Sequence, residues 1–180
     1  SEFDLMGIDP EDFPELPSVE TEHALALPEQ VLRSMIGQTL FAVSEDESRP
    51  IHMGALFVVD DEGLTMVAVD GFRLALRREP LLEHNGTFEF VVPGASLSEV
   101  EKICQDTDAP VQIHQGARHV LFQIGQTILI ARRLEGSFLA WRQAIPRNNP
   151  IRYTVGTRAL LSCIERVSLL VSDKLKSPLR

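Results

Sequence analysis

Asp70, Arg73 and His52 are the residues of this 180-residue chain whose types could together do acid–base work. A carboxylate could take a proton, a guanidinium could stabilise developing negative charge, and an imidazole titrates near neutral pH. The spacing argues against catalysis. Asp70 immediately precedes Gly71, and Asp in a turn is favoured for its backbone hydrogen bonds, a role that needs no chemistry. The sequence holds no nucleophile elbow, P-loop, dinucleotide fingerprint or HExxH run. The expectation is a protein that is not an enzyme and takes no cofactor.

Metal binding fares no better. His114 and His119 flank Gln115-Gly116-Ala117-Arg118, so a hairpin could bring two imidazoles together. Two ligands do not make a site, and no Cys, Asp or Glu accompanies them at useful spacing. His23 and His84 are isolated. Cys104 and Cys163 lie far apart in helical patterns with no CxxC spacing, and read as buried small hydrophobes. Asn85-Gly86-Thr87 matches a glycosylation sequon, but reads as an Asn-Gly hairpin turn before a strand.

The elements that would position these residues follow from pattern. Apolar residues make up 44% of the chain, enough for a sizeable core, and no apolar stretch approaches the roughly 20 residues that cross a bilayer. No signal peptide is recognisable at the start, and a cytoplasmic location is expected. The net charge of −9 is unevenly placed: residues 1–22 hold eight Asp or Glu and no Lys or Arg, and the other 158 carry 17 basic against 18 acidic side chains. Whole-chain charge is therefore a poor guide to what any one face binds. Residues 9–20 combine acidic residues with three prolines and read as a linker.

After the linker comes a strand-like TEHALAL, then Pro28 opening a helix with Val31, Leu32, Met35, Ile36 and Leu40 at helical spacing. Strands are predicted over 50–60, 64–69 and 72–78, separated by Asp60-Asp61-Glu62-Gly63 and Asp70-Gly71. The unit then repeats: a strand over 87–92, Pro93 opening a helix through Cys104, and strands over 110–114, 119–124 and 127–133. A duplicated strand-helix-three-strand unit predicts an α+β domain with both helices on one face of an antiparallel sheet. In a two-residue Asp70-Gly71 loop, Val69 and Phe72 would be cross-strand neighbours. Phe72, Leu74 and Leu76 would share one face, with Arg73, Ala75 and Arg77 on the other. Residues 157–172 read as a further amphipathic helix with Leu160, Leu161, Ile164, Val167 and Val171 on one side.

Asp70-Gly71-Phe72-Arg73-Leu74-Ala75, with Asp46-Glu47-Ser48-Arg49-Pro50 before it and Gly136-Ser137-Phe138 and Arg142-Gln143-Ala144-Ile145-Pro146 after it, closely resembles the bacterial DNA polymerase III beta sliding clamp family. The resemblance covers almost the whole chain and implies the DNA clamp fold. It assigns 1–20 to the tail of a first clamp domain and its linker, 21–136 to the middle domain, 137–156 to a connector and 157–180 to the start of a third, truncated domain. Phe3, Leu5, Met6 and Ile8 fit the tail of the preceding domain.

The resemblance also implies a cleft where partner peptides dock. Carried over singly, Val69, Gly71, Phe72, Arg73 and Leu74 match one wall, and Arg49, His52, Leu139, Gln143 and Ala144 fall at further cleft positions. Val69 and Leu74 would supply apolar surface, Gly71 close backbone approach, and Arg73 a packed stem with a guanidinium over polar peptide groups. Leu is common in the family where His52 stands, Pro where Leu139 stands and Val where Ala144 stands. Those changes would reshape the pocket, a methylene or two being worth about 1–2 kcal/mol.

As implied partners, the family brings double-stranded DNA held topologically, the polymerase catalytic subunit, the clamp loader, ligase, and mismatch repair and translesion proteins. It also brings a head-to-tail homodimer ring, a location at the nucleoid during replication, and no membrane. Arg33, Arg49, Lys102, Arg158 and Arg166 are the basic candidates for facing DNA. Glu99, Glu101, Asp106 and the acidic run from Glu45 to Glu47 oppose them, so strong phosphate affinity is not expected.

Overall fold

The computed structural model describes residues 3, 6–12 and 17–169. The described chain divides into two compact units between Trp141 and Arg142. In the first, Pro28 and Pro93 each end a strand in extended backbone (ψ 143° and 138°) and cap a helix. A proline ring cannot donate to a ladder but suits the entry to a helix. The elements are β1 (His23–Pro28), α1 (Glu29–Thr39), β2 (Gly54–Asp60), β3 (Gly63–Val69), β4 (Leu74–Glu79) and β5 (Glu83–His84). They continue as β6 (Phe88–Pro93), α2 (Gly94–Ile103), β7 (Pro110–Gln115), β8 (His119–Ile124) and β9 (Thr127–Arg132).

These strands form two antiparallel sheets rather than the single sheet expected, ordered β5-β1-β7-β8-β9 and β4-β3-β2-β6. The halves exchange their first strands: β1 pairs along its whole length with β7, and β6 pairs with β2. The joint is reinforced at the helix start, where the Glu29 and Gln30 amides donate to the carbonyls of Ala109 and Thr107 at 2.9 and 3.0 Å. The buried Glu29 carboxylate in turn accepts the Gln105 N–H at 2.8 Å. One core joins both sheets to Leu32, Met35 and Ile36 of α1 and Leu97 and Val100 of α2. The helices lie so close that a Cβ on Gly37 would meet the Glu101 carboxylate at 2.9 Å.

Several local expectations are corrected. The predicted strand over 50–60 begins as a 3-10 turn, Pro50–Met53, because a proline at its first position presets a turn rather than a ladder. The turn after Val69 is four residues long, so Val69 faces Leu74 and not Phe72. Asn85-Gly86 joins strands of different sheets, so it is no hairpin; the Asn85 Oδ1 instead accepts the Ala24 N–H at 2.8 Å. Leu40 falls in a 3-10 turn, Leu40–Ala42, after α1 ends.

The second unit holds most of a short helix, α3 (Trp141–Ala144), and α4 (Thr157–Ser168). Leu160, Leu161, Ile164 and Val167 of α4 are exposed. Cys104 is buried as expected, but Cys163 is exposed on α4. Val171 and Leu5 lie outside the described residues, and Phe3, Met6 and Ile8 are exposed.

Candidate recognition cleft

The turn between β3 and β4 is built around one carboxylate. The Asp70 Oδ1 accepts the Phe72 and Arg73 amides at 3.0 Å each, and its Oδ2 accepts the Arg73 Nε at 2.7 Å. Gly71 sits at φ +93°, a conformation that residues with a Cβ rarely adopt. The two backbone donors and the guanidinium hold the Asp70 carboxyl at about 2, well below its ordinary value. It is ionised at neutral pH and is poorly matched to general acid–base work there. Asp70 and Arg73 line a groove whose lining does not include His52.

Leu74, the first residue after this turn, belongs to a second apolar cluster on the face of the four-stranded sheet turned away from the main core. Leu56 and Val58 of β2, Val67 of β3, Val91 of β6 and the buried Trp141 form its centre, with Ile51, Leu134 and Phe138 packed around them. Leu76 continues the row and is 41% exposed. Both faces of β2 and β3 are therefore apolar, and one of them ends in a partly open surface beside the hydrogen-bonded Asp70 turn.

Of the expected residues in the first unit, Leu74 belongs to this cluster and His52 packs against its Phe138. Val69 is buried opposite Leu74. His52 stands edge-on to Phe138 with ring centroids 5.1 Å apart, and its Nδ1 is buried without a hydrogen-bond partner. Burial first, and the Arg49 charge second, push its pKa below the usual histidine value. Arg49 is exposed, Phe72 is fully exposed, and Leu139 is 43% exposed with its carbonyl accepting the Trp141 N–H. Gln143 and Ala144 are exposed in the second unit.

Sequence reasoning missed Trp141, Ile51 and Leu134 as cluster members, and Phe41, whose ring lies 5.6 Å below the Arg73 guanidinium carbon. The chain's lone tryptophan and the unbroken apolar run GALFVV were the available signals, since a strand without alternation is covered on both faces.

The basic candidates are divided between the two units. Arg33 and Lys102 are exposed on α1 and α2, and Lys102 pairs with Glu99 at 2.7 Å. Arg158 and Arg166 lie on α4, where Arg166 donates to the Ser162 carbonyl and to the Cys163 Sγ. His114 stands opposite Leu121 and His119 opposite Arg132, so the two imidazoles are not register partners. No group of three or more metal-ligating side chains occurs among the described residues.

A family model described as the DNA polymerase III beta subunit, central domain, matches residues 26–139, well over half of the chain. The chain belongs to the DNA polymerase III beta subunit family. Beta sliding clamps of Halalkalibacterium halodurans and Bacillus subtilis are each 36% identical to it, over 94% and 96% of the chain and 46% of their own length. The crystal structure of the Bacillus subtilis sliding clamp superposes with a TM-score of 0.88 at 36% identity, covering 96% of this chain and 46% of that one. The beta chain of Streptococcus pneumoniae gives 0.84 at 31% identity, over 94% and 45%. These neighbours bear out the α+β clamp fold. The chain spans about half the length of these beta subunit relatives. No helix among its described residues is long and apolar enough to cross a membrane.

Proposed function

We propose that this chain is a segment of a replicative sliding clamp, the non-catalytic accessory subunit that encircles DNA, tethers DNA polymerase III and docks short peptides of its partners. The observation that carries the docking role is the Leu74–Leu76 surface. It is an apolar cluster left partly open at the edge of a sheet, next to a turn whose shape is held by Asp70. An apolar groove beside a preorganised turn suits a short apolar peptide, because little of the binding energy is spent on ordering the receptor. Val69, Gly71, Phe72, Arg73 and Leu74 form one wall in this reading, with Arg49, His52, Leu139, Gln143 and Ala144 completing it.

The polymerase catalytic subunit, the clamp loader, ligase, and mismatch repair and translesion proteins would share the cleft. Individual contacts would be about micromolar, with retention arising from linked contacts. Residues 1–20 serve as domain tail and linker, 21–136 as the middle domain, 137–156 as connector and 157–180 as the opening of a third domain. Two subunits would close the ring, with Arg33, Arg49, Lys102, Arg158 and Arg166 as its weak, sequence-independent DNA contacts.

The test is an NMR titration with a Gln-Leu-Ser-Leu-Phe peptide, following the amides of Val69, Gly71 and Leu74. Saturable shifts at that turn, abolished in Leu74→Asp, are expected. Silence both in this chain and in a subunit of the relatives' full length would remove the docking role.

A further inference from the structure

A groove of about 490 Å³ lies between the 3-10 turn after α1 and the β3–β4 turn. Phe41, Glu45, Asp46, Asp70, Phe72 and Arg73 line it. Two features set it apart from ordinary surface. Its aromatic rings are uncovered, Phe72 fully and Phe41 at 57% exposure. Its charge is lopsided, with three carboxylates against the single guanidinium of Arg73.

The wall already shows what it can hold. The Arg73 guanidinium carbon rests 5.6 Å from the Phe41 ring centroid while its Nε is bound by Asp70, so a cation is held between a π-face and a carboxylate. That arrangement uses Asp70 and part of Phe41. The Phe72 ring and the exposed Glu45 and Asp46 side chains remain open to solvent. Hydrogen bonds from Ser48 hold the Asp46 pKa below its ordinary value, so its charge persists into more acidic solution than that of a free Asp.

We propose that this groove takes a lysine or arginine side chain flanking the apolar core of a docked peptide. The inference rests on the docking reading, and it adds a cationic requirement that the apolar cluster alone would not impose. The groove and the cluster meet in the chain at the β3–β4 turn: Arg73 lines the groove and the next residue, Leu74, lies in the cluster. Nucleic acid is the disfavoured occupant, because bases could stack on the rings but the excess carboxylates repel phosphate.

The experiment is a set of fluorescence polarisation titrations with five labelled probes. They are the core pentapeptide, the same peptide carrying two lysines at its N-terminal or at its C-terminal end, and the two peptides carrying serines at the same positions. A lysine-extended peptide is expected to bind about three- to ten-fold more tightly than the serine-extended one, with the gain shrinking as salt rises. Glu45→Gln and Asp46→Asn should remove that gain while leaving the core peptide's affinity unchanged. Glu45 is exposed, so its substitution does not threaten the fold. Equal binding of lysine- and serine-extended peptides overturns the inference and leaves docking intact. A gain that survives both substitutions, or competition by a single-stranded oligonucleotide at equal affinity, also overturns it. Failure of every peptide to bind, both to this chain and to a subunit of the relatives' full length, overturns the docking reading and this inference together.

Discussion

Asp70 shows how a residue can be read correctly in kind and incorrectly in geometry. Asp-Gly between apolar runs is the usual signal for a two-residue hairpin loop, and it does mark the turn. The side chain then changes the loop length. By accepting the Phe72 and Arg73 amides, the carboxylate closes a four-residue turn that places Val69 opposite Leu74 and sends Phe72 into solvent. Sequence cannot separate these outcomes, because Asp favours both. The electrostatic consequence is testable. Asp70 titrates at about 2 against an ordinary 3.8, so its bonds are complete above pH 3.8 and are lost as pH falls through 2. The Phe72 and Arg73 amide shifts should move together in an acid titration with a midpoint near 2, and Asp70→Asn should flatten that response. A midpoint at the ordinary carboxylate value would show that the turn is not held this way.

The elements were largely legible, whereas their pairing was not. Pro28 and Pro93 mark both helix starts to within one residue, each standing as the N-cap just before the helix, and the Leu32–Met35–Ile36 spacing gives the buried face of α1. The exchange of β1 and β6 between halves leaves no local trace, since an alternating strand presents the same pattern whichever ladder it joins. Its energetic signature lies in contacts that cross the halves. Phe57 of β2 is fully buried and stacks on Phe90 of β6 with centroids 5.0 Å apart. Phe57→Ala should therefore cost about 3–5 kcal/mol in urea unfolding, as one cooperative transition. Two separated transitions, one spared by the substitution, would mean that the halves fold independently despite the exchange.

For the molecule as a whole, the net charge of −9 misleads in one direction and the family in the other. Eight acidic residues before residue 23 dominate the total, yet removing them from view does not leave a basic surface. On α1 and α2, Arg33 and Lys102 are exposed, Lys102 is already paired with Glu99, and the Glu101 carboxylate lies against Gly37 of α1. Duplex affinity that arises from phosphate neutralisation falls with a salt slope proportional to the number of cations engaged. With few unpaired cations on these helices, this chain should bind a labelled linear duplex weakly at physiological salt, with a shallow slope between 50 and 200 mM. Fluorescence anisotropy across that range measures both quantities. Tight binding with a steep slope would reveal a concentrated basic surface and would make ring closure unnecessary for retention. Weak, shallow binding is what a ring requires if it is to stay on DNA by topology and still slide, because each strong phosphate contact would have to be broken at every step.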